Sequence, residues 1–162
     1  MKEAVKMIVD GRVFDRGIIC SGEQTIITPA DRYEEMRKEL EAYGGYWIEK
    51  DEDREKLLKT LFPEGKTNKD MVGQDVQTIA KAAGVAIPEG TEVIVMPEEA
   101  SVKNSLLRKE KMFPVITPFK YEKFSEAVDS PSRTWRLREK AIPYRSIPTM
   151  TSTSRNSVSG HR

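Results

Sequence analysis

Two residue types with the most useful side-chain chemistry are nearly missing from this 162-residue chain. There is one cysteine, Cys20, and one histidine, His161, next to the last residue. A single cysteine closes no disulfide within the chain, and metal centres built on cysteine clusters are excluded. With the sole histidine at the far end, no Cys–His dyad can be drawn in the body of the chain, which argues against a papain-like hydrolase. Long hydrophobic runs are missing too, and nothing approaches the roughly 20 apolar residues of a membrane span. The opening MKEAVKMIVDGRV carries acids and no apolar core segment, so it does not read as a signal peptide. No GxGxxG or GxxxxGK[ST] run occurs, so no phosphate-cradling loop is visible. These absences predict a reducing, cytoplasmic setting with no membrane partner and no metal.

What is present fits a soluble globular chain of one domain, or a piece of a larger one: 38% hydrophobic and 33% charged residues. The net charge of +1 hides a split. Residues 1–129 carry 20 Lys+Arg against 25 Asp+Glu, and residues 130–162 carry 7 against 1. Such asymmetry is the usual mark of a basic tail.

Apolar spacing predicts the elements. Ala4, Val5, Ile8 and Val9 mark a helix that Gly11 is expected to end. QTIIT reads as a short buried strand. Thr28 and Pro29 are then expected as N-cap and first residue of a helix with Tyr33, Met36, Leu40 and Tyr43 on one face, stopped by Gly44-Gly45. GYWI is a strand, and DREKLLKTLF a charged helix with Leu57, Leu58 and Leu61 inward. A helix over about 74–83 stops at Gly84. TEVIVMP and PVITPFKY are strands, and EKFSEAVD opens a helix. Strands alternating with helices predict an α/β fold with at least some parallel pairing.

Cys20 lies in FDRGIICSGEQTII, between a helix and a strand, with Gly17 and Gly22 nearby. That is a setting for a nucleophile on a tight turn, where backbone N–H groups can stabilise a thiolate and hold an oxyanion. A lone cysteine is more often a small core residue, and the flanking Ile18-Ile19 support that reading. Without a histidine base, a nucleophilic Cys20 suits thiolate attack on an aldehyde. The acidic run EKDEDREK reads as a solvated helix start. LLRKEK is too short, and too mixed in charge, to argue for nucleic acid.

Three segments together carry a resemblance. FDRGIICSGEQTII is similar to the catalytic-cysteine segment of the CoA-acylating aldehyde dehydrogenases, close to FDNG-x-x-C-A-S-E-Q-x-x-I. MVGQDVQTIAKAAGVAIPEGTEVIV is similar to the family's middle segment, and RKEKMFPVITPF to its SREKLSPVLAFY. The match runs in order over residues 2–128. It implies a partial aldehyde-dehydrogenase-like catalytic domain, with an NAD-dependent conversion of a small aldehyde and CoA to acyl-CoA. It implies Cys20 as the nucleophile. Glu110, four residues before Pro114, aligns with the glutamate that binds the nicotinamide ribose. Intact relatives are expected to be homo-oligomers. Arg16 replaces the family asparagine, and Ser21-Gly22 replace Ala-Ser. The family's dinucleotide-binding region lies mainly upstream of the cysteine, so the resemblance implies a fragment that does not turn over alone.

From Ser130 the grammar changes: three prolines, seven serines, four threonines, one acid and no sustained apolar period. Such a segment reads as disordered. The expected family segment GKGHT-x-x-IH is missing there. Yet a frame displaced by one base, with permitted wobble bases, can read NLEIEGKGHTVSIHTND across TWRLREKAIPYRSIPTM. The expectation is therefore a partial catalytic domain over 1–129 and a frameshifted tail over 130–162. The competing reading is a non-catalytic module whose basic tail binds an anionic partner.

Overall fold

A computed structural model describes residues 1–102 and 104–128; the expectations for the tail lie outside the described residues. The order is α1 (Lys2–Val13), β1 (Thr25–Pro29), α2 (Tyr33–Ala42), β2 (Gly45–Trp47), α3 (Asp51–Leu61), α4 (Val76–Ala83), β3 (Val93–Val95) and β4 (Val115–Tyr121), with short 3-10 turns between some of them. Residues 124–128 enter a further helix. All the strand pairs are parallel, in the order β1-β4-β3-β2.

The central strands explain the layering. Val93, Ile94 and Val95 of β3 are all fully buried. Because side chains alternate along a strand, such a run needs a cover on both faces, which parallel sheets obtain from crossover helices. Val93, Val95 and Ile116 pack with Val5, Val9, Met36 and Leu40 from α1 and α2. Ile94, Met96 and Val115 pack on the other face with Leu57, Leu61, Val76 and Ile79 from α3 and α4.

Three local expectations are corrected. Helix α1 continues through Gly11 to Val13; the missing Cβ at Gly11 leaves room for the Glu23 carboxylate against the helix. Strand β1 alternates between buried and half-buried positions rather than being buried throughout, because among the described residues it pairs on one side only. Thr28 and Pro29 do not open α2. They finish β1 opposite Lys120 and Tyr121, and Ala30–Arg32 form a 3-10 turn before α2. Proline is tolerated there because an edge strand leaves its other side without a ladder. The remaining stops hold. Asp75 accepts a 2.7 Å hydrogen bond from the Thr78 N–H at the start of α4, and Gly84 (φ 66°) closes it in the left-handed conformation.

Candidate functional site

The parallel pairing decides which loops meet. Thr25 opens β1 opposite Thr117 of β4, so the loops entering these two strands lie at the same edge of the sheet. One carries Cys20 and the other carries Glu110. An open cavity of about 280 Å³ lies between them, lined by Cys20, Gly22, Gln24 and Thr25 from the first loop and by Arg108, Lys109, Glu110 and Lys111 from the second. Cys20 is exposed and Glu110 is half-buried. Cys20 does not fill a core position, since it is exposed; in the same loop the Ile18 side chain lies against Gly73.

A buried cation holds the cysteine loop from within. Arg12, at the end of α1, is fully buried and donates hydrogen bonds to the carbonyls of Gly17 and, at 3.5 Å, Glu23. Burial pulls the Arg12 pKa below the ordinary arginine value, while the Glu23 charge opposes that shift. The loop thus closes around one guanidinium. Gly17 (φ 77°) has no freedom to carry a side chain, since a Cβ there would stand 2.6 Å from the Phe113 carbonyl carbon. Asp15 and Arg16, just before it, also adopt positive φ, at 47° and 53°.

The glutamate loop is built the same way. Lys111, also buried, donates from Nζ to the carbonyls of Leu107 at 2.5 Å and Lys109 at 3.4 Å. Arg108 is 2% exposed; it donates to the carbonyls of Val102 at 2.9 Å and Ala100 at 3.0 Å, and its guanidinium lies 4.4 Å from the centroid of the Phe119 ring. Buried carbonyls in irregular segments need donors, and long cationic side chains supply them. The Gly73 N–H donates to the Met112 carbonyl at 3.1 Å. The cysteine segment, the VGQ turn and the RKEK segment, far apart in sequence, therefore converge on one edge of the sheet.

Sequence reasoning missed Arg12, Arg108 and Lys111, since a cation in a charged stretch reads as solvated. It also missed a larger cavity of about 420 Å³ beyond the carboxyl ends of β2 and β3, lined in part by Tyr33, Arg37, Trp47, Arg54 and Glu98. Burial, with Glu99 and Glu34 adding to it, pushes the Tyr33 pKa up to about 12. Arg54 is paired with Glu98 at 2.8 Å and Arg37 with Glu41 at 2.9 Å. No cysteine lines that cavity. Among the described residues, no cluster of His, Cys, Asp and Glu could hold a metal ion, and no helix is long and apolar enough to cross a membrane.

No family model matches the chain. It is 43% identical over 127 residues to the succinate-semialdehyde dehydrogenase (acetylating) of Clostridium kluyveri, an alignment covering 78% of this chain and 28% of that protein. Its fold superimposes on the acetylating aldehyde dehydrogenase of Geobacillus thermoglucosidasius with a TM-score of 0.79 and 26% identity, over 84% of this chain and 30% of that one. The propionaldehyde dehydrogenase of Rhodopseudomonas palustris, solved with bound propionyl-CoA, shares the fold at a TM-score of 0.73 and 21% identity, over 82% and 29% of the two chains. The chain thus spans somewhat under a third of the length of these relatives.

Proposed function

Since the homologues and structural neighbours of this chain are CoA-acylating aldehyde dehydrogenases, matched over one part of their length, we infer that it carries their acyl-transfer segment, with Cys20 as the nucleophile. The observation supporting this is that Cys20 and Glu110, more than 80 residues apart in sequence, line one cavity.

The chemistry assigned to the residues is as follows. The Cys20 thiolate attacks the carbonyl carbon of a small aldehyde to give a thiohemiacetal, whose oxygen faces the backbone N–H groups of the Cys20 turn. A nicotinamide dinucleotide, NAD in this proposal, would supply the hydride acceptor needed to oxidise this adduct to a thioester. Glu110 fits one part of that cofactor, since a half-buried carboxylate accepts hydrogen bonds from a ribose hydroxyl. CoA is the acyl acceptor: its thiolate displaces Cys20 from the thioester and restores the free thiol. An exposed, loop-borne cysteine leaves room for such an incoming thiol.

Acyl transfer between CoA and cysteine is thiol–thioester exchange and needs no dinucleotide, so it can be tested on this chain alone. Incubation with acetyl-CoA or succinyl-CoA is expected to add one acyl group to Cys20, detected by mass spectrometry, and none to a Cys20→Ser variant. Equal labelling of the two, or labelling of neither, would remove the basis of the proposal. The domain boundary at Asp129 and the frameshift after it belong to the same proposal. Translation of all three frames of the coding DNA across codons 125–162 tests them, and the absence of a GKGHT-x-x-IH segment in a displaced frame overturns them.

A further inference from the structure

The Gln24 side chain bridges the two loops of the cavity. Gln24 follows the cysteine turn, and its Oε1 accepts a 2.7 Å hydrogen bond from the backbone N–H of Lys111, the residue after Glu110. Its own carbonyl accepts from the Thr117 N–H at 3.1 Å, which ties the same residue to β4. Gln24 is thus anchored at its main chain to the strand and reaches with its side chain to the loop that leads into that strand. Lys111 in turn fixes the rest of that loop, through the carbonyls of Leu107 and Lys109.

We propose that Gln24 is a positioning residue that sets the separation of Cys20 from Glu110. Its importance for catalysis rests on the function inferred above, because nucleophile and ribose-binding carboxylate must be held in one geometry for hydride to reach the cofactor. The positioning itself does not depend on that function. The amide is long enough to bridge the loops and presents an acceptor where a backbone donor needs one. Replacement by methionine keeps the length and removes the acceptor; glutamate keeps both.

The test uses the full chain and reads the influence of the Glu110 charge on the Cys20 thiol. Alkylation of Cys20 by anionic iodoacetate and by neutral iodoacetamide is timed at low ionic strength, and the ratio of the two rates reports the local charge. With Gln24 present, Glu110→Gln is expected to raise the iodoacetate-to-iodoacetamide ratio about threefold, the scale of one unit charge acting across a small solvated cavity. In a Gln24→Met background the same Glu110→Gln change is expected to leave the ratio within experimental error, and in a Gln24→Glu background to restore the threefold effect. If the methionine variant does not fold, Gln24→Asn takes its place, because the shorter amide cannot span the gap. A threefold effect undiminished without the Gln24 acceptor overturns the proposal. So does the absence of any Glu110 effect in the native background, or its failure to return with glutamate. Since these reagents need neither aldehyde, CoA nor dinucleotide, the coupling can be present in a chain that takes no acyl group, and the two proposals fail separately.

Discussion

Arg16 occupies a backbone conformation, φ 53° and ψ 30°, that places its Cβ too close to the following carbonyl oxygen. The side chain gains nothing there to offset this beyond a distant attraction to Asp75. Asparagine tolerates the left-handed region better than other residues with a Cβ, and asparagine is the residue of the family pattern FDNG at this place. The departure noted in the sequence is thus a local cost in the turn that presents Cys20. Arg16→Asn is expected to stabilise the chain by about 0.5–1 kcal/mol, seen as a higher urea midpoint with an unchanged slope. An unchanged or lower midpoint would show that the turn relaxes around arginine.

Among the elements, α4 shows how much a cap contributes. The Asp75 carboxylate accepts from the Thr78 N–H, and chiefly for that reason its pKa lies below the ordinary aspartate value. A carboxylate whose pKa is depressed by folding stabilises the fold above its unfolded pKa, and this contribution is lost as pH falls through the folded value. Asp75→Ala is therefore expected to cost about 1 kcal/mol at pH 7. The difference from the parent in urea melts should narrow progressively below about pH 4. A pH-independent difference would assign the effect to something other than the ionised cap.

The same elements show what could be read in the sequence. Helix α4 and strand β3 were legible because apolar pattern and stop agree: Gly84 closes the helix, and Val-Ile-Val marks a buried strand; the Asp75 cap was not read. The entry to α2 was misread because Thr-Pro is an equally good helix start, and only pairing with Lys120 and Tyr121 makes it the end of a strand. Cys20 and Glu110 were legible as candidates through the motifs around them. Their meeting was not, since it depends on β1 lying beside β4, three strands later in the sequence. The buried cations were hidden because a sequence shows which residues are charged, but not which carbonyls they reach.

At the scale of the whole molecule, the sheet couples the two packed layers. Val93 and Val95 face one side and Ile94 the other, so neither side can loosen without disturbing β3. Leu57 lies in the layer opposite Trp47. Leu57→Ala is expected to cost about 2–5 kcal/mol. In a Trp135→Phe background, where Trp47 is the only indole, Trp47 fluorescence and far-ultraviolet circular dichroism should shift to the same lower midpoint. Two separate midpoints would mean that the layers unfold independently.

The pairing of β1 with β4 has a consequence in time. Thr25 faces Thr117, so 92 residues must be made after the first partner before the second exists. At ordinary rates of translation that interval is on the order of ten seconds. For much of it, the thiol-bearing turn is outside the ribosome without the loop that will face it across the cavity. Glu110, Lys111 and the Phe113 carbonyl all arrive just ahead of β4, so the second wall of the cavity forms only once β4 has been made. A nascent chain held short of residue 115 would present Cys20 without the wall of the cavity that carries Glu110.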